Sequence, residues 1–285
     1  MIIDGKKVAI DIRNRIKSQL DCFPDIAVTL ATVLVGENPA SQLYVGRKHK
    51  EAHAAGMQSK HVQLPVDISQ AQLESELDAL ATDPGIHGIL VQLPLPEHLD
   101  KQAIIERIPA DKDVDGLGSV NMGKLLQGNK QMVPCTPLGV MKLIQAYAIP
   151  TRGRHAVVVG RSSLVGLPQC LLLAEKGIDA TVTLAHSRTD DLAAVCSRAD
   201  ILISAVGAPH LIKREFVKPG AMVFDVGVTR QQNQIIGDVD FANVEPIAAG
   251  VTPMPGGTGP MTVACLLENT LLAARLQGIL PASAA

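Results

Sequence analysis

Short aliphatic runs ending in turn residues alternate with segments of helical periodicity along most of this chain, and that alternation constrains the fold more than any other feature. Such a pattern marks βαβ units, whose parallel strands are covered on both faces and therefore carry Val, Ile and Leu without polar alternation. In the first half, residues 26–35, 61–64 and 88–93 read as strands, and residues 41–55 and 69–81 as helices, the second with Ser69 as its N-cap. The second half restarts the alternation with strands over 155–160, 181–185, 201–206 and 222–226. Residues 109–137, rich in Gly, Pro and Asp, read as a long irregular connection into a helix over 138–147, and a Pro/Gly cluster over 252–260 precedes a helix over 261–276. With no Trp, 2 Tyr and 4 Phe in 285 residues, the core has to be aliphatic, as a sheet buried on both faces requires.

Composition narrows the class of function. The 26 basic and 28 acidic residues leave a net charge of −2, which gives no field to gather a polyanion, and stacking aromatics are almost lacking, so nucleic acid is not an expected partner. Five cysteines, Cys22, Cys135, Cys170, Cys196 and Cys265, are odd in number and never spaced C-x-x-C, which argues against a disulfide framework or a zinc site and for the cytoplasm. Export and membrane insertion are not expected, because the N-terminus lacks a basic region followed by an apolar run and no apolar stretch of about 18 residues occurs.

The strand ending at Gly160 leads through Arg161, Ser162 and Ser163 to Gly166 and a helical segment. This order resembles the first βα unit of a dinucleotide-binding fold, in which a helix N-terminus with unpaired N–H groups receives pyrophosphate. The glycine spacing is not G-x-G-x-x-G, so an ordinary tight βα turn is the competing reading. The next strand ends in His186, Ser187 and Arg188 without an acid for a ribose 2′-hydroxyl. Arg161, Ser187 and Arg188 suit a 2′-phosphate instead, which favours NADP over NAD, although Arg188 also reads as a solvated loop charge.

Other candidate chemistry lies in the first half. Tyr44 and Lys48 are four apart on a helix and share a face, as an amphipathic surface pair would. Gln92 ends a strand beside Pro94 and Pro96, and Asp113 and Asp115 lie two apart in a turn that could equally be a solvated acidic loop. His49 and His53 lack the Glu directly after the first His that a zinc protease motif needs, and no metal site is expected. Cys135 has no assignable His partner and reads as buried packing, while the glycines of Pro255–Gly259 allow either a plain loop or a close ligand approach.

Taken in order, the segments from Ala40 to Lys48, Gly88 to Pro96, Asp111 to Gly116, Pro134 to Pro137, Val157 to Ser162 and Pro255 to Thr262 resemble the bifunctional methylenetetrahydrofolate dehydrogenase/methenyltetrahydrofolate cyclohydrolase family. The resemblance implies an α/β fold with two domains. Residues 1–137, completed by 261–285, form a folate-binding catalytic domain, and residues 138–260 a Rossmann-type NADP domain, with a folate cleft between the two and a homodimer. It further implies that Lys48 is the catalytic lysine, that Tyr44 packs on the folate, that Gln92 holds the lysine and that Asp115 bonds the pterin edge. Val91, Leu93, Asp113, Pro255, Gly256, Gly257 and Gly259 are implied substrate contacts, and Gly160, Arg161, Ser162, Ser187, Arg188, Val228 and Thr262 cofactor contacts. Thr258 stands where the family more commonly has Val, and Val228 where Ile is usual.

The implied chemistry fits these residue types. The methylene carbon lies between two nitrogens that stabilise the cation left by hydride, so oxidation needs positioning and no proton acceptor. Water addition to the methenyl carbon and ring opening do need proton transfer, which an amine with a depressed pKa can supply. A dehydrogenase of another small substrate would leave Lys48 and Gln92 unexplained, and a nucleotide sensor without catalysis would be expected to have lost them.

Overall fold

The computed structural model describes residues 1–231 and 234–281, so the middle of the turn from Gln231 to Gln234 and the last four residues of the expected C-terminal segment lie outside the described residues. The strands are β1 (Thr29–Val35), β2 (Gln58–Leu64), β3 (Gly88–Val91), β4 (His155–Val159), β5 (Thr181–Ala185), β6 (Ile201–Ser204), β7 (Met222–Asp225), β8 (Thr229–Gln231), β9 (Gln234–Ile236) and β10 (Gly250–Val251). They fall into two compact units, one of Ile10–Cys135 with Val263–Ala285 and one of Met1–Ala9 with Thr136–Thr262.

In the first unit β1 is central, pairing in parallel with β2 and β3, and all seven of its residues are buried. That explains its largely aliphatic sequence, whereas the edge strand β2 has only exposed and half-buried positions. The helix Gln70–Thr82 buries Leu73, Leu77 and Leu80 at helical spacing against Val33, Ile89 and Ile104. Ser69 starts it with a full capping box, its hydroxyl accepting from the Gln72 N–H while the Gln72 amide oxygen accepts from the Ser69 N–H. Such a cap contributes about 1 kcal/mol. A parallel bridge from Ile89 to Asp113 lays the segment at 113–115 beside β3.

The second unit is a five-stranded parallel sheet in the order β10-β7-β6-β4-β5, with an aliphatic core that includes Val157, Val159, Leu202, Val223 and Val251. Met1–Ala9 groups with this unit, whereas the sequence places residues 1–137 together. The physical reason is the open edge of β10, whose Val251 accepts from the Ile3 N–H at 2.9 Å and donates to the Met1 carbonyl at 3.0 Å.

Helices differ from expectation at several places. The helix Gly5–Leu20 occupies a stretch the sequence leaves unassigned, and Ser119–Leu126 interrupts the connection expected to be irregular. The helices expected from 138 and 261 begin at Cys135 and Thr258.

Candidate functional site

Parallel strands deliver their following residues to one end of a sheet, and the first unit uses that end to assemble ionisable groups. The helix Pro39–Ala54, which follows β1, carries Tyr44 and Lys48 one turn apart. Gln92 and Leu93 directly follow β3. The Lys48 ammonium donates to Gln92 Oε1 at 2.8 Å, and Gln92 Nε2 donates to the Leu93 carbonyl at 2.7 Å, so the amide is oriented with its oxygen toward the lysine. Burial holds the Lys48 pKa below that of an ordinary amine, against the opposing pull of Asp115. Burial likewise pushes the Asp115 carboxyl up, while the positive charge of Lys48 restrains the rise. Tyr44 is half-buried and Val91 lies in the core of the sheet.

Asp113 has a different place from the one expected of a ligand contact. It is 2% exposed, and its carboxylate accepts from the N–H groups of Gly116, Leu117 and Gly118 and from Asn121 Nδ2. With four donors on it, the carboxylate organises the turn that presents Asp115. Burial raises its pKa, opposed by these same hydrogen bonds. Gly116 completes the turn at φ +68, where a Cβ would meet the Val133 carbonyl carbon at 2.8 Å.

Sequence reasoning passes over Asn269, which is 3% exposed in the C-terminal helix. Its amide donates to the carbonyls of Val114 at 2.8 Å and Val133 at 2.9 Å, tying the Asp115 turn to the segment before Cys135. The available signal is the polar triplet Glu268-Asn269-Thr270 between the apolar runs of that helix. Cys135 is buried and donates to the Val114 carbonyl at 3.2 Å. Burial pushes its thiol well up, which fits the reading of Cys135 as a buried packing group.

The second unit builds its candidate site from backbone. Gly160 directly follows β4 at φ +116, and a Cβ there would meet the Ala205 carbonyl oxygen at 2.4 Å. A Cβ on Gly166 would meet the Gly160 carbonyl oxygen at 1.9 Å. Both glycines are therefore demanded by close backbone approach where the loop turns into the helix Gly166–Ala174. Ser162 Oγ accepts from the Val165 N–H at 3.2 Å, and Arg161 and Ser162 are exposed.

After β5, the Thr189 hydroxyl accepts from the His186 N–H and the His186 ring accepts from the Arg188 N–H. The turn so fixed carries exposed Ser187 and Arg188. Val228 is 40% exposed beyond β7. Thr262 is half-buried, with its hydroxyl 3.1 Å from that of Thr136. In the Pro255–Gly259 segment Pro255 is exposed, while Gly256 and Gly257 are buried, the Gly5 N–H donating to the Gly256 carbonyl at 3.1 Å.

Residues 3–115 match the family described as tetrahydrofolate dehydrogenase/cyclohydrolase, catalytic domain, and residues 134–278 match its NAD(P)-binding domain. The chain is 49% identical over 279 residues to "Bifunctional protein FolD 2" of Paracoccus denitrificans, covering 95% of this chain and 92% of that protein. A solved structure of the bifunctional FolD methylenetetrahydrofolate dehydrogenase/cyclohydrolase of Campylobacter jejuni superposes with a TM-score of 0.94 at 42% identity, over 97% of this chain and 99% of that one. A Trypanosoma brucei methylenetetrahydrofolate dehydrogenase-cyclohydrolase, solved with NADP and an inhibitor, gives 0.93 at 38% identity, over 98% of each chain.

Proposed function

This chain belongs to the tetrahydrofolate dehydrogenase/cyclohydrolase family, and we propose that Lys48, held by Gln92, carries the proton chemistry of its second reaction. It is a bifunctional enzyme that oxidises 5,10-methylenetetrahydrofolate with NADP to the 5,10-methenyl cation and hydrolyses that cation to 10-formyltetrahydrofolate. The observation that carries the proposal is the 2.8 Å bond from Lys48 Nζ to the Gln92 amide oxygen, in surroundings that depress the amine's pKa.

The cofactor's demands match the second unit. NADP, when bound, supplies a hydride acceptor. The glycine-lined loop from Gly160 to Gly166 and the start of the following helix would hold its pyrophosphate, with Ser162 on the loop. Arg161, Ser187 and Arg188 would hold the 2′-phosphate, consistent with a strand end that has no acid and with two arginines that make no ion pair among the described residues. Val228 and Thr262 remain proposed cofactor contacts.

In the hydrolytic step, water bonds to the methenyl carbon as its proton passes to the neutral Lys48 amine. The C–N5 bond then breaks as N5 takes that proton back from the lysine, while the added oxygen becomes the formyl carbonyl and gives up its remaining proton to solvent. A buried amine is suited to both transfers because loss of solvation disfavours its charged form. Gln92 fixes the amine without the charge stabilisation a carboxylate would add. Asp115 accepts from the amino and ring N–H groups of the pterin, a charge-assisted pair that orients the substrate. Tyr44 covers the folate ring, Val91 and Leu93 line the same strand end, and Pro255, Gly256, Gly257 and Gly259 are further proposed folate contacts.

The enzyme is further proposed to be a cytoplasmic homodimer without nucleic-acid or membrane partners. Five cysteines, odd in number and never spaced C-x-x-C, fit a reducing compartment, and no helix among the described residues is long and apolar enough to cross a membrane. The test is a coupled assay: methylenetetrahydrofolate and NADP should give NADPH absorbance first and decay of the methenyl chromophore after it. Absence of NADPH formation, or a methenyl product that decays no faster than in buffer, would overturn the assignment.

A further inference from the structure

Two carboxylates in the second unit, Asp225 and Asp238, are 2% and 0% exposed, and none of the chemistry above uses them. They lie in a reciprocal arrangement with two glycines. A Cβ on Gly227 would overlap the Asp238 carboxyl at 2.0 Å, and a Cβ on Gly237 would overlap that of Asp225 at 1.9 Å. Asp225 accepts from the N–H groups of Asp238 and Val239, which fixes the Asp238 backbone. Burial pushes the Asp225 carboxyl up to about 7, with the charge of Asp238 adding to the rise.

Asp238 then reaches back to the end of β6. Its Oδ2 accepts from Ser204 Oγ and from the Val206 N–H, both at 2.9 Å, and its Oδ1 accepts from the Ala208 N–H at 2.8 Å. One side chain thereby sets the course of the Val206–Gly207–Ala208 loop. That loop is tied to the one after β7, because Thr229 Oγ1 donates to the Gly207 carbonyl at 2.9 Å. The result is two apolar side chains, Val206 at 39% and Val228 at 40% exposure, left uncovered at the strand ends. Val206 also borders the phosphate loop, since its Cγ1 lies 3.4 Å from where a Gly160 Cβ would stand.

We propose that Asp238 is the positioning residue for the nicotinamide end of the NADP site, holding Val206 and Val228 as an apolar platform for that ring. The inference rests on reading the second unit as the NADP site. Apolar side chains exposed at parallel strand ends beside a phosphate loop suit the flat face of an aromatic ring, and a buried acid with several backbone donors suits a fixed loop.

The test compares Asp238→Asn and Gly227→Ala with the wild type in three measurements: calorimetric NADP affinity, dehydrogenase kcat and KM for NADP, and cyclohydrolase turnover of supplied methenyltetrahydrofolate, which needs no NADP. Asp238→Asn turns an acceptor into a donor facing the Val206 N–H, and Gly227→Ala displaces the carboxyl sterically. Each should weaken NADP binding and raise its KM about tenfold, the scale of one lost buried hydrogen bond, while cyclohydrolase turnover stays at the wild-type level. Unchanged NADP affinity in either folded variant overturns the proposal, as does an equal loss of both activities, which marks a merely structural acid. Wild-type protein that binds no NADP would instead overturn the reading of the unit itself.

Discussion

In the first unit the proposed chemistry rests on side chains withdrawn from water, Lys48 and Asp115, each with a pKa moved by burial. In the second unit the phosphate loop is backbone, with Gly160 and Gly166 leaving room that a single methyl would fill, and its charged residues Arg161 and Arg188 are exposed. The contrast follows the two reactions. Proton transfer near neutral pH requires an amine moved off its ordinary pKa, and desolvation is the means. Hydride transfer from a carbon flanked by two nitrogens requires no titrating group, so a rigid cradle suffices.

The sharpest way to break this comparison is Lys48→Met. Methionine keeps much of the apolar stem and removes the amine, so cyclohydrolase turnover should fall about 10²–10⁴-fold, the usual contribution of a general acid/base, while dehydrogenase activity remains measurable. Released methenyltetrahydrofolate, followed by its own absorbance, would report the uncoupling, and equal losses in both steps would make Lys48 a positioning group. The wild-type pH profile carries the same contrast. The base is the neutral amine, so cyclohydrolase kcat should climb with pH and level off below the ordinary amine range, because the Lys48 pKa is lowered. Dehydrogenase kcat should show no such limb.

Asp115→Ala removes the pterin anchor and should lower kcat/KM for both reactions by roughly 10–100-fold, the scale of a hydrogen bond to a charged group. It thus separates binding, which the two steps share, from proton transfer, which they do not. Full activity at limiting folate would show Asp115 to be a plain turn acid.

Why the sequence discloses one half of this contrast better than the other is itself physical. The strands are legible because burial on both faces writes uninterrupted aliphatic runs, as in β1 and β4. Lys48, Gln92 and Asp115 are legible as reactive types, and their family order ties them together. Asp113 looks equivalent to Asp115 in sequence, yet the N–H groups of the next turn curl back on it, and only coordinates show a carboxylate already occupied. Asn269 is more hidden still, since its partners are carbonyls more than 130 positions away. The helix Gly5–Leu20 escapes because its buried positions Ile12, Ile16 and Leu20 are outnumbered by charged neighbours.

Gly166→Ala tests the backbone half directly. The added methyl would sit 1.9 Å from the Gly160 carbonyl oxygen, and backbone has no flexible end to move aside. Overpacking of about 1–3 kcal/mol should appear as a roughly 5–100-fold loss of dehydrogenase kcat/KM for NADP, with cyclohydrolase turnover retained. Loss of both activities would mean that the loop supports the fold of the whole chain, and retention of both would remove it from the cofactor site.

The smallest effect expected is on cofactor choice. Arg161 is exposed and makes no ion pair among the described residues, so its guanidinium is available to a 2′-phosphate, and β5 ends without an acid that would read a 2′-hydroxyl. Arg161→Ala should therefore reduce the ratio of kcat/KM for NADP over NAD by about tenfold, the lower end of a charge-assisted contact because solvent screens it. Activity with NAD should hardly change, since the lost partner is the phosphate that NAD lacks. If the ratio is unchanged, the same measurement on Arg188→Ala decides whether the charge is read from the turn after β5, where His186 and Thr189 already fix the backbone. A ratio insensitive to both substitutions would mean that the 2′-phosphate is held by neutral donors such as Ser187, leaving the second unit without any charged recognition at all.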